Sequence, residues 1–161
     1  MHKDKINQLL EVLNESFQGL PWHGESLMDK LNRIDYRIVN IAPVPTINSV
    51  ARLVHHIINW RIFVIEKIKG NDAFDIEMNS QNDWTDLHIE TEKDWADLIQ
   101  KLVNTQNEIF DLLNTKTDDF LETPVYGRKY NIQRLIEGIV QHDIYHQGQI
   151  AVVAKQAALK G

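Results

Sequence analysis

The sequence predicts an all-α fold, namely a four-helix bundle with an additional short helix. Two observations support this prediction. Apolar residues recur with the roughly 3.6-residue period of an amphipathic helix in four long segments and one short segment. The 4 prolines all lie between these segments, where they do not interrupt a helix. We therefore expect a single helical-bundle domain over residues 1–161.

The first 45 residues contain one long helix and the short one. The long helix is predicted over residues 4–17, and Pro21 follows its end. The short helical segment has apolar residues at positions 27, 28, 31 and 34. Pro43 and Pro45 prevent this segment from continuing as a regular helix.

The second long helix is predicted between a cap at Asn48 or Ser49 and a stop at Gly70. It is so apolar that we expect it to be largely buried. Its apolar stripe consists of Val50, Leu53, Ile57, Val64 and Ile68. The segment over residues 70–83, GNDAFDIEMNSQND, is polar, acidic and aperiodic. We interpret it as a solvated crossover, with a substrate-gating loop as the alternative.

The rest of the chain contains the other two long helices. The stretch from residue 84 to about residue 114 is predicted to contain one of them, which is expected to be the longest. A break follows in which VYGRKY could form a tight turn or a small hairpin. The last helix is predicted from residue 132 to about residue 159, with Asn131 as its cap. Gly148, inside this helix, is expected to let another helix approach closely.

Composition excludes several kinds of partner and site. The chain has a net charge of −6 and no strongly basic segment, which argues against nucleic acid as a partner. It contains no cysteine, so a thiolate metal site and a cysteine nucleophile are excluded. The sequence contains no run of about 18 apolar residues, the length needed to span a membrane. The N-terminal residues MHKDKINQLLEV lack the apolar core of a signal peptide, so we expect a cytoplasmic protein.

His142 and His146 are four residues apart in the last predicted helix and therefore share one face of it. Both lie within the apolar stripe, where an unpaired imidazole is costly. Each ring must therefore find a hydrogen-bond partner or a metal ion. The spacing alone leaves both possibilities open.

The position of His56 favours a metal ion over hydrogen-bond partners for His142 and His146. At about 100° per residue, His55 points away from the apolar stripe, toward solvent or a neighbouring subunit, whereas His56 lies at the stripe edge. Three histidines from two helices would form a facial three-nitrogen site with room for water and substrate. Neutral imidazoles suit Zn, Ni, Fe or Cu, so one divalent metal ion is expected and its identity is not determined.

Other residues near the proposed site have more than one interpretation. Asp143 could orient a ligand histidine or tie down a loop. Tyr145 and Gln149 flank His142 and could line a pocket, although packing is the commoner role of such a tyrosine.

Two further polar residues lie outside the last helix. Asn59, one turn after His56, could hydrogen-bond a metal-bound water. His23 in the WHG turn is either a surface or capping histidine, or a pocket wall or proton shuttle. No residue is identified as a catalytic group, because the sequence contains no obvious general base.

The segments WHGESLMDKL, LVHHIINW and HDIYHQGQI, which follow one another in this order along the chain, resemble the DinB / YfiT-like superfamily. The resemblance implies a four-helix bundle that carries a divalent metal on three histidines. Carried over to this chain, the ligands are His56, which lies four residues before Trp60, together with His142 and His146. Activities described in the superfamily include thiol-dependent S-transfer with low-molecular-weight thiols, and other members are classed as metal-dependent hydrolases.

The leading hypothesis is a metal-dependent enzyme of the hydrolase or thiol S-transferase type, acting on a small-molecule substrate, with a low-molecular-weight thiol as a candidate partner. The alternative is a non-catalytic metal-binding stress or interaction protein. A third interpretation has no metal and treats the three histidines as hydrogen-bonded core residues. Bundles of this size often pair through an exposed helix face, and we expect a homodimer.

Overall fold

The computed structural model describes residues 2–160. Its helices are α1 (Asp4–Gln18), α2 (Leu27–Leu31), α3 (Val50–Ile68), α4 (Glu92–Asn114) and α5 (Ile132–Ala158), with 3₁₀ turns at Tyr36–Ile38 and Asp118–Glu122. Residues 2–160 contain no β-strand, and VYGRKY forms a turn closed by one antiparallel bridge between Pro124 and Asn131. The predicted all-α fold, with four long helices and a short one, is confirmed.

Side-chain caps decide where the helices begin. Ser49 and Asn131 cap α3 and α5 as predicted, each accepting a hydrogen bond from a backbone N–H of the first turn. Helix α4 begins at Glu92, because Thr91 and Asp94 form a reciprocal capping box there. The helix therefore lies within the predicted stretch of residues 84–114, and residues 84–91 precede it. At 27 residues α5 is longer than α4 with 23, so α4 is not the longest helix.

Helix α3 packs against both α4 and α5, and α1 packs against α4 and α5 on the other side of the bundle. The short helix α2 rests on α1 and α5. The apolar core is divided into two clusters. Along α3, one cluster ends at Ile58 and the other begins at Phe63, so the clusters occupy different heights of the bundle.

A layer of buried polar side chains, Arg61, Gln106 and Asp143, separates the two clusters and is called here the polar layer. Nε and Nη2 of Arg61 donate to Oδ2 of Asp143 at 2.9 and 2.6 Å, and Nη1 donates to Oε1 of Gln106 at 2.7 Å. The amide of Gln106 donates to the carbonyl of Leu13 at 3.3 Å. The Arg61 guanidinium also lies 4.6 Å from the centre of the Phe17 ring. The layer thus joins all four long helices.

The crossover over residues 70–83 has no helix, but it is not uniformly solvated. Ile76 and Asp83 are buried, and both anchor the segment to the bundle. Gly148 lies in open space, since a Cβ built there would meet no heavy atom within 4 Å. The prediction that Gly148 permits close helix approach is therefore wrong. Within residues 2–160, no helix combines the length and the apolarity needed to cross a membrane.

Candidate metal centre

Helix α5 presents His142 and His146 on one face, with their ring centroids 4.4 Å apart. His146 is buried, whereas 23% of the His142 side chain is exposed. The residues that flank the pair along this face, Ile139 and Ile150, are buried in the core. The pair therefore lies where α5 meets the bundle interior.

Helix α3 places His56 against this pair. His56 is 5% exposed, and its Nε2 lies 3.0 Å from Nε2 of His142. Its ring centroid is 4.6 Å from that of His146. One nitrogen from each of the three rings lies within 4.8 Å of the other two, which is close enough to bind a single ion. The structure thus brings together the three histidines that the sequence singles out, called here the histidine trio.

Two members of the trio have their Nδ1 atoms hydrogen-bonded away from the centre. Nδ1 of His56 lies 3.0 Å from both the backbone carbonyl oxygen and a carboxylate oxygen of Asp83. Nδ1 of His146 lies 2.6 Å from Oε1 of Gln149. All these acceptors lack protons, so each Nδ1 donates and each Nε2 keeps its lone pair. Such outer partners orient metal-ligating histidines in proteins.

The third outer contact is incomplete. Nδ1 of His142 and Oδ1 of Asp143 are both buried without a hydrogen-bond partner, and they lie 3.8 Å apart. The other oxygen of Asp143 is held by Arg61. Two unsatisfied polar atoms that face each other in a buried site require an explanation.

A divalent cation supplies that explanation. The Nε2 of His56 holds a lone pair, so the 3.0 Å contact with Nε2 of His142 requires a proton or an ion between them. Two nitrogens about 2.1 Å from one ion, at roughly 90–110° from each other, are separated by about 3.0–3.4 Å. An ion on Nε2 of His142 would place the proton of that ring on Nδ1, facing Asp143. The donor set and its surroundings therefore fit a divalent metal ion.

Two half-buried indoles pack against the His56 ring. The ring of Trp84 stacks on His56, with centroids 3.8 Å apart and planes inclined by 5°. Trp60 meets His56 edge-on at 6.5 Å, and its Nε1 donates to Oδ1 of Asp83 at 2.9 Å. Both tryptophans restrict rotation of the His56 ring.

Burial keeps His56 and His146 in the neutral form that a metal requires. Burial, with the neighbouring His142 as a second cause, lowers the pKa of His146 to about 4. Burial likewise lowers the pKa of His56, against the hydrogen bond to Asp83, which raises it. Both rings are therefore unprotonated at neutral pH, with their nitrogens available as ligands.

Three other predicted site residues, Asn59, Tyr145 and Gln149, have contacts that differ from those expected. The amide of Asn59 donates to the carbonyl of Asp83 at 3.3 Å and to the hydroxyl of Thr85 at 3.2 Å, so Asn59 anchors the crossover. Tyr145 and Gln149 line a groove that reaches His146 rather than His142.

The two remaining histidines of interest are not members of the trio. His23 is exposed in the loop before α2. His55, which was expected to face solvent or a neighbouring subunit, is half-buried, and its Nδ1 is buried without a partner. Burial and the charge of Lys101 lower the pKa of His55. The ring thus lies against α4, on a different face of α3 from His56.

Sequence reasoning missed three residues that support the trio, namely Asp83, Trp84 and Arg61. Asp83 ends the aperiodic crossover and Trp84 follows it directly, and neither carries a local pattern that marks it. Arg61 does carry one, because it is four residues from both Ile57 and Ile65 in the apolar stripe of α3. A cation in that position must be paired, and Asp143 is its partner.

A comparison with known protein families covers the residues of the histidine trio. The sequence model of the DinB superfamily matches residues 23–150, which include α3, the crossover, α4 and the whole histidine trio. No match was found among curated proteins or solved structures. The family match extends over most of the 161 residues, and it accords with the helical bundle and with the three converging histidines. The chain belongs to the DinB superfamily.

Proposed function

We propose that the protein is a divalent-metal-dependent enzyme that acts on a small-molecule substrate. The observation that carries this proposal is the convergence of His56, His142 and His146, with ligand nitrogens within 4.8 Å of one another. Three protein ligands are typical of catalytic metal sites, which keep a position for water or substrate. Structural sites are usually closed by a fourth protein ligand.

A divalent ion in this site would act as a Lewis acid and would lower the pKa of a bound nucleophile. The residues of the chain provide the rest of the site. Asp83 and Gln149 hold the rings of His56 and His146 in fixed orientations. Trp84 covers one face of His56 and excludes water from it.

The surroundings of the trio favour an external thiol over water as the nucleophile. Both nearby carboxylates are engaged, Asp83 with His56 and Trp60, and Asp143 with Arg61. The second oxygen of Asp143 is buried and lies beside Nδ1 of His142, so neither carboxylate is placed to accept a proton from water. A thiol needs less assistance, because its pKa of about 8.5 is far closer to neutrality than that of water. The chain has no cysteine, so the thiol would be a low-molecular-weight co-substrate.

The proposed reaction is therefore S-transfer from a thiol to an electrophilic carbon. The thiol sulfur forms a bond to that carbon, and the leaving group departs with the electron pair of the bond that breaks. The thiol proton passes to solvent or to the leaving group. Hydrolysis, in which water replaces the thiol, is the second candidate, because the family match accords equally with either activity.

The proposal is tested with protein loaded separately with Zn²⁺, Ni²⁺ and Fe²⁺. Thiol consumption is measured with small thiols and the electrophile monobromobimane, and hydrolysis with a panel of esters and amides. We expect metal-dependent thiol transfer that His146→Asn abolishes. The matched control is His88→Asn, since His88 is exposed, and it should retain activity. Metal-replete protein that turns over neither panel would support the non-catalytic alternative and contradict the proposal.

A further inference from the structure

Two grooves reach the histidine trio from different stretches of α5. The Gly138 groove, about 370 Å³ in volume, contains residues 134–142 of the helix and reaches His142. The Gly148 groove, about 680 Å³, contains residues 145–156 and reaches His146. A larger cavity of about 770 Å³ lies between residues 31–37 and α4, but no histidine lines it. The chemistry of the trio is therefore accessible through two separate grooves.

A glycine lies in each groove, inside a regular helix. Glycine is unfavourable in a helix interior relative to other residues and is usually retained there for a specific reason. Close packing is not the reason here, because a Cβ built at Gly138 or Gly148 would meet no heavy atom within 4 Å. Positive φ is not the reason either, since neither residue has it. Both glycines leave space in a groove, where a ligand can approach the helix backbone.

The two grooves differ in charge. Among residues 2–160, no Asp, Glu, Lys or Arg lines the Gly148 groove. Its rim includes apolar side chains that remain exposed, with Ile47 at 41%, Tyr145 at 64% and Val152 at 56%. Such a surface matches an uncharged, largely apolar ligand.

The Gly138 groove has one charged side chain, Arg134, among the aromatic rings of Trp60, Phe63 and Tyr130. Within the part of the chain that the structure describes, Arg134 pairs only with Glu137, at 3.6 Å and in solvent, and such exposed pairs are weak. The guanidinium is therefore free to bind an anionic group, while the rings accept an apolar or aromatic body.

We propose that the site binds two ligands at once, an uncharged apolar substrate in the Gly148 groove and an anionic co-substrate in the Gly138 groove. The inference deepens the proposed function, since the two ligands would meet at the trio, and a two-substrate transfer needs such an arrangement. Binding in either groove does not itself require the metal.

Two fluorescent probes of one skeleton test this proposal on the metal-replete protein. N-phenyl-1-naphthylamine is uncharged, and 1-anilinonaphthalene-8-sulfonate adds an anionic sulfonate to the same rings. We expect both probes to bind together without displacing each other. Arg134→Gln should weaken the anionic probe at least about fivefold and leave the uncharged one unchanged. Gly148→Leu should weaken only the uncharged probe, and Gly138→Leu only the anionic one.

The leucine variants also test why the glycines are there. Leucine is the better helix former, so both variants should melt at or above the wild-type temperature. The proposal would be overturned if the leucine variants melted at lower temperatures or if the two probes displaced each other. It would also be overturned if the probe affinities were the same in the variants as in the wild type. Dissociation of a homodimer by Gly148→Leu would also overturn it, by showing that a second copy fills that groove.

The metal content of every variant separates this proposal from the proposed function. Neither leucine variant replaces a member of the trio, so both should retain the wild-type content. If the wild type holds no metal while the probes behave as expected, the proposed enzyme fails and the two-ligand site stands. If metal binds and the probes do not, the two-ligand site fails and the proposed metal-dependent enzyme stands.

Discussion

Asp83 contacts Nδ1 of His56 with two oxygens, its backbone carbonyl and its carboxylate Oδ1, each at 3.0 Å. The same carboxylate accepts hydrogen bonds from Nε1 of Trp60 at 2.9 Å and from the backbone N–H of Asn79 at 2.8 Å. Asp83 therefore connects the crossover to the histidine trio. It also explains why His56 presents Nε2, and not Nδ1, to His142.

Asp83→Ala should reduce metal affinity by about 10–100-fold, the usual effect of losing an outer partner of a ligand histidine. The backbone carbonyl and its hydrogen bond from Asn59 would remain, but the carboxylate contacts with His56, Trp60 and Asn79 would be lost. Affinity is measured by competition with a chelator. The matched control is Asp86→Ala, since Asp86 is exposed and pairs with Arg52 at 3.4 Å. Equal affinities in the two variants would show that Asp83 does not support the site.

Arg61→Met should destabilise the fold by about 3–5 kcal/mol, because it leaves the buried carboxylate of Asp143 without its partner. Urea unfolding of the metal-free protein measures this loss. Arg33→Met is the matched control, since the pair of Arg33 with Glu25 is largely exposed and should contribute less than about 1 kcal/mol. A loss at Arg61 no larger than that at Arg33 would contradict the structural role of the polar layer.

The metal-free protein should lose stability as the pH falls from about 6.5 toward 4. An ordinary histidine in the unfolded chain has a pKa of about 6.5, whereas burial lowers the pKa of His146 to about 4 in the folded state. Between these values the unfolded chain binds more protons, so stability rises with pH across this window and this contribution is flat above it. The lowered pKa of His56 acts in the same direction.

His146→Gln should therefore show a shallower decline than the wild type when urea unfolding is repeated across this pH range. Glutamine removes the titrating group from the folded and unfolded states alike. Superimposable pH profiles for the two proteins would mean that burial of His146 does not disfavour its protonation.

Local periodicity was sufficient to predict much of the site. The four-residue spacing of His142 and His146 placed both on one face of α5. Helical phase separated His56 from its neighbour His55, and the structure places only His56 within the trio. Both inferences depend on helix geometry alone, which is determined by residues close together in the chain.

The contacts of Asp83 and Trp84 with His56 depend on tertiary packing, which local periodicity does not reveal. Asp83 lies 27 residues from His56, in a segment without period, so its contact depends on how the crossover folds back. Trp84 follows the crossover and precedes α4, so its stacking on His56 likewise depends on tertiary packing. The start of α4 was visible in the Thr91–Asp94 spacing, which is that of a capping box, and was overlooked.

The metal content of protein purified without an affinity tag tests the central claim most directly. Elemental analysis after growth in metal-replete medium compares the wild type with His56→Ala and with its adjacent control His55→Ala. The wild type and His55→Ala should each hold about one divalent ion per chain, and His56→Ala should hold almost none. A wild type that carries no more metal than His56→Ala would contradict the claim that the three histidines form a metal centre.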